Sequence, residues 1–127
     1  MSASAAPRFE PEIGRELCFP STVIGETSCL RFKVSPGDEF QPTGWVVSYW
    51  ILEGEDSFSG FDFFLVDFDE GGYIDVYFHP THSGWHNGLI YIEAVPVFWR
   101  RTVVIIARMT DRGVPNAQPK DGRRLRK

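Results

Sequence analysis

From Val34 to Trp99 the chain contains no lysine or arginine, while aspartate and glutamate recur throughout. A body so depleted of cations cannot grip a phosphate backbone, so no nucleic acid is expected as its partner. No apolar run approaches the length of a membrane-spanning helix, and none is expected. There are only two cysteines, Cys18 and Cys29. With an N-terminus that is small and polar and has no hydrophobic segment like a signal peptide, they predict a reducing compartment and free thiols. A Cys18–Cys29 bridge is the minor alternative. No stretch shows good helical periodicity. No nucleophile-elbow, phosphate-loop or dinucleotide motif occurs, and the Ser and Cys side chains lack a supporting base, so the chain is read as a non-enzyme.

What is present is a chain of 127 residues, enough for one domain with one core. Aromatic content is high at 15%, and eleven of those residues are Phe. Such side chains suit sheet packing and binding surfaces. The net charge of −4 hides an asymmetry. From Arg100 onward the sign reverses, through Arg100, Arg101, Arg108 and Arg112 to a terminal cluster of Arg123, Arg124, Arg126 and Lys127. A basic last strand can pair with acidic neighbours. A basic tail has no fold to satisfy and is free to attach to an anionic surface.

The alternation of Tyr73 to Phe78 organises the rest. Ile74, Val76 and Phe78 point one way and Tyr73, Asp75 and Tyr77 the other, as in a half-buried strand. His79-Pro80 stops it. Gly84 and Asn87-Gly88 supply turn residues, and a second strand over 89–92 follows. Upstream, Pro11 and Pro20 bracket an edge-strand candidate over 9–19, with Leu17 and Phe19 facing together. Cys29 to Val34 alternates with Leu30, Phe32 and Val34 inward. Trp45 to Leu52 is apolar on both faces and predicts a central strand covered on both sides. Residues 61–68 form another apolar strand, 93–98 a connecting loop, and 99–109 a β-branched buried strand ended by Arg112-Gly113-Val114-Pro115. About seven short strands with turn signals between them predict an all-β fold, an immunoglobulin-like antiparallel β-sandwich, with a small closed barrel as the alternative. The domain is expected over residues 9–115, with an N-terminal tail over 1–8 and a basic tail or linker over 116–127.

Candidate chemistry is sparse. His79, His82 and His86 are the only histidines, and imidazoles so close in sequence could meet on a metal. No fourth ligand accompanies them, so solvated loop histidines are the plainer expectation and no metal or cofactor is assigned. Asp67, Asp69 and Glu70 before Gly71-Gly72 lack the full calcium-loop pattern. Trp45 or Trp50 is expected in the core. Trp85 and Trp99, the latter just before Arg100-Arg101, are candidates for exposed anchors, because Trp and Arg dominate binding hot spots. Exposed aromatics on a sandwich also suit a carbohydrate or small ligand, which is the alternative function.

Three segments carry a resemblance. Leu17-Cys18-Phe19-Pro20 leads to Val23-Ile24-Gly25. Ile74-Asp75-Val76-Tyr77-Phe78-His79-Pro80 leads to Gly84. Val103-Val104-Ile105-Ile106 runs to Gly113-Val114-Pro115. In this order and spacing, over roughly residues 15–115, the chain resembles the ASH family, ASPM–Hydin-type domains related to major sperm protein (MSP) and PapD-like sandwiches. It departs from the pattern at Ser35-Pro36, where an Asn is common, in a longer final turn, and in an unmatched middle over 45–72. The resemblance implies a non-enzymatic interaction or scaffold module of centrosomes, basal bodies, cilia or flagella, hence a cytoplasmic, cytoskeletal location and protein partners. The residues expected to meet a partner are Trp85, Trp99, Arg100, Arg101 and the terminal Arg123, Arg124, Arg126 and Lys127, the last four also offering a microtubule contact.

Overall fold

A computed structural model describes residues 7–35, 44–66, 72–96 and 102–115. These residues form strands and no helix. In chain order they are β1 (Arg8–Glu10), β2 (Glu16–Cys18), β3 (Thr22–Val23), β4 (Ser28–Ser35) and β5 (Trp45–Glu53). Then come β6 (Phe58–Ser59), β7 (Phe61–Val66), β8 (Gly72–Phe78), β9 (Gly84–Pro96) and β10 (Val103–Val114). One sheet runs β1-β4-β8-β6. The other runs β2-β10-β9-β5-β7, with β3 also on β10. The predicted all-β, immunoglobulin-like sandwich is therefore the fold.

The core is built by period-two alternation. Phe32 and Val34 of β4 and Ile74, Val76 and Phe78 of β8 point inward from one sheet. Val47 and Tyr49 of β5, Ile90 and Ile92 of β9 and Ala107 and Met109 of β10 meet them from the other. Burying each large aliphatic or aromatic side chain contributes about 1.5–3 kcal/mol. Phe58 and Phe78 stack at 5.0 Å, and Phe19 tilts against both. Tyr49 ties the sheets together, its hydroxyl accepting the Asp75 N–H at 3.2 Å.

Several sequence expectations are corrected. The single edge strand over 9–19 is two strands on different sheets, β1 against β4 and β2 against β10, because the chain crosses from one sheet to the other between them. β2 and β3 pair parallel with β10, so the sandwich is mixed rather than wholly antiparallel. Asn87-Gly88 is no turn but lies inside β9, which extends to Pro96 and absorbs the loop expected there. Gly88 is needed for close packing. A Cβ on it would lie 2.8 Å from Glu53 O and 2.9 Å from Met109 Cε. Gly84 does make the turn, with φ of 104°. β10 likewise runs on through Arg112 and Gly113, which were expected to end it. Cys18 and Cys29 are free and stand on different sheets.

Candidate docking surface

β5 has strands on both sides, yet its outer face is open, contrary to expectation. Val46 and Leu52 are 38% and 42% exposed. The register shows why this matters. Phe61 on β7 stands opposite Trp50 on β5, Trp50 opposite Tyr91 on β9, and Tyr91 opposite Ile106 on β10. The next row holds Phe63, Ser48, Glu93 and Val104, and the row beyond it Leu65, Val46 and Val95. An apolar band thus crosses the outer face of the sheet. Phe61, Phe63 and Leu65 are 74%, 67% and 55% exposed, and Ile106 is 51% exposed. The Trp50 and Tyr91 rings lie 4.5 Å apart within it, tilted by 34°. Exposed apolar surface of this kind makes the face a candidate docking surface.

The band is flanked by charges of opposite sign. At the β7 side is the exposed Asp62. At the β10 side, Arg108 stands across from Leu89 on one flank and Glu16 on the other. There a shallow cavity of about 780 Å³ is lined by Arg15, Glu16, Leu89, Ile106 and Arg108. Trp85 lies at the far corner of the same face, 64% exposed and opposite Arg112. It is the one predicted contact residue among the described residues. Trp99, Arg100, Arg101, Arg123, Arg124, Arg126 and Lys127 lie outside them, as do Asp67, Asp69 and Glu70. Of the core candidates, Trp45 is buried, whereas Trp50 is half-buried and belongs to the band.

The outer face of the other sheet is polar. Arg31 donates to both Asp75 oxygens, at 2.8 and 3.0 Å, and lies 4.6 Å from the Tyr73 ring centre. The bidentate guanidinium holds the Asp75 carboxyl below its usual range. Burial, with the Asp75 charge adding to it, pushes the neighbouring Cys29 thiol up.

The histidines do not form a ligand set. His86 is buried, and both ring nitrogens are engaged. Nε2 donates to the His82 carbonyl at 2.8 Å, which leaves Nδ1 to accept the Ser57 hydroxyl at 2.7 Å. His82 stacks on His86 at 4.0 Å, and its Nδ1 lies 3.0 Å from Ser83 O. No group of three or more His, Cys, Asp or Glu able to hold a metal occurs among the described residues. Asp111, across from His86, is buried; its Oδ1 accepts the Arg112 N–H at 2.7 Å. Its Oδ2 has no partner, and burial raises its pKa. These groups fasten the 79–84 connection to the sandwich.

No family model matches the chain, and no curated protein matches it. Solved structures do. The ASH/PapD-like domain 7 of human CEP192 superposes with a TM-score of 0.70 at 14% identity, covering 92% of both chains. WR4, a Caenorhabditis elegans MSP family member, gives 0.53 at 10% identity, over 84% of this chain and 97% of that one. The YadV chaperone gives 0.55 at 10% identity, over 91% of this chain and 54% of the other. At these identities the likeness is one of fold, and it agrees with the resemblance carried by the three sequence segments. The chain shares the immunoglobulin-like sandwich fold of these ASH, MSP and PapD-like structures.

Proposed function

We propose that the chain is a non-enzymatic protein-interaction module that serves as a scaffold or docking unit in a centrosomal, basal-body or ciliary assembly. The observation that carries the docking reading is the exposed apolar band across β7, β5, β9 and β10. Leaving so much apolar surface in water is unfavourable, and a protein partner would bury it. The band is led by Phe61, Phe63, Leu65, Val104 and Ile106, and surface of this composition favours a protein over a sugar, the polar atoms of Ser48, Trp50, Tyr91 and Glu93 being its minority. The ciliary assignment draws on the ASH-type motifs and on the fold shared with the CEP192 domain. In this reading the Trp85 corner and the basic residues from Arg100 onward, including Arg123, Arg124, Arg126 and Lys127, add contacts to a partner or to a microtubule. The test is the location of the full-length tagged chain in ciliated cells. Coincidence with centriolar or axonemal markers is the expected result; a diffuse cytoplasmic or membrane-bound signal contradicts the assignment.

A further inference from the structure

We propose that the free edge of β7 accepts an added strand: an extended segment of a partner protein with apolar residues at alternate positions and Lys or Arg between them. This rests on the docking reading above and specifies its occupant.

Sheet edges are normally kept short, covered or charged with lysine, because their unpaired N–H and C=O groups recruit other strands. Here β1 and β6, which end the first sheet, have three and two residues, and the β10 edge is covered by β2 and β3. β7 differs. It is six residues long, contains no Pro or Lys, and among the described residues pairs with β5 alone. Its outward side chains are Phe61, Phe63 and Leu65, all more than half exposed. The Phe63 N–H is taken by the Asp62 carboxylate at 2.8 Å rather than by a strand. Backbone groups alternate along a strand, so Leu65 presents its N–H to the same edge as Phe63.

An incoming strand would extend the apolar rows with its outward residues, one of them beside Phe63. Its intervening residues would lie on the side of Asp62. Charge selects those residues. β5 to β9 carry no lysine or arginine, while Asp62 stands exposed on β7 itself. A cation opposite Asp62 finds no competitor on these strands, and it draws the carboxylate off the Phe63 N–H, releasing that donor for the new strand. A second copy pairing through its own β7 would bring Asp62 rather than a cation to this edge, so the partner is a basic segment of another protein.

The probe is a nine-residue peptide alternating Val or Phe with Arg, titrated into the full chain labelled for amide NMR. Two counterparts accompany it: one with Glu in place of Arg, and one methylated on alternate backbone nitrogens. The inference expects shifts centred on Phe61 to Val66, with the Asp62 and Phe63 amides among the largest. It expects about tenfold weaker binding of the Glu peptide and loss of binding on methylation. Leu65→Ala and Leu65→Pro both remove the side chain, but only the second removes the edge N–H, so Leu65→Pro should bind less than Leu65→Ala. Equal binding of the Glu peptide, binding that survives methylation, or shifts confined to β10 overturns it. So does dimerisation of the chain alone through β7, seen by sedimentation, since the occupant is then a second copy. If the peptide fails while substitutions at Trp50 or Ile106 still abolish capture of cellular proteins, strand addition falls and the docking module stands.

Discussion

Ser57 Oγ lies 2.7 Å from His86 Nδ1, and this buried hydrogen bond fixes the turn before β6 to the first residues of β9. His86 Nε2 is held by the His82 carbonyl, so the Ser57 hydroxyl is the donor that satisfies the other nitrogen. Ser57→Ala leaves Nδ1 buried without a partner. The expected cost is about 1–3 kcal/mol, read as a lower urea midpoint with an unchanged slope.

Ionisation of Asp111 weakens the folded state. Its carboxyl is buried, one oxygen has no partner, and its folded pKa is raised. The folded state therefore holds this proton more tightly than the unfolded chain, and stability falls as pH rises from about 4 through the raised value. Asp111→Asn keeps an oxygen for the Arg112 N–H and removes the buried charge. It should leave stability at pH 7 unchanged or higher by about 1 kcal/mol, and it should flatten that descent. Urea denaturation at several pH values measures both.

Asp75 has the opposite sign. The Arg31 hydrogen bonds lower its folded pKa, so its contribution is complete above about pH 4 and is lost as pH falls through the lowered value. Arg31 is largely exposed, at 61% of its side chain, so the effect is small and salt-sensitive. Asp75→Asn should reduce the acid-side loss of stability in low salt and make little difference in high salt, as followed by acid titration of circular dichroism.

Gly88 has no room for a side chain, since Glu53 O, Phe58 Cδ2 and Met109 Cε surround the place of a Cβ at 2.8 to 2.9 Å. Gly88→Ala should cost about 1–3 kcal/mol by overpacking. Gly14, with nothing within 4 Å of its Cβ position, is the control: Gly14→Ala should shift stability by less than about 0.5 kcal/mol. Paired thermal melts separate the two.

The inward residues were legible in the sequence because alternation survives translation into a sheet: Leu17 with Phe19, Phe32 with Val34, and Ile74, Val76 and Phe78 all face the core. The docking band was not read, although its signal was present. Val46, Trp50 and Leu52 make the second face of β5 apolar, a pattern that predicts coverage on both sides, and Phe61, Phe63 and Leu65 continue that face on β7. A chain with no helical stretch has nothing to lay over a second face, and this absence would have exposed the band. Asn87-Gly88 was misread because residues of high turn propensity can also serve close packing. Ser57, Asp111 and the Asp62 edge contact depend on pairings distant in sequence or on backbone direction, which composition does not reveal.

The docking face is tested most directly by affinity capture with cross-linking from ciliated-cell extract. The full wild-type chain would be compared with Phe61→Asp/Phe63→Asp, whose substitutions lie at exposed positions and should leave circular dichroism unchanged. The account predicts that wild type retains a defined set of proteins, cytoskeletal ones among them, cross-linked to the β7–β5 face, and that the double variant loses them. Recovery of the same set by the folded double variant, with cross-links elsewhere on the sandwich, would contradict it.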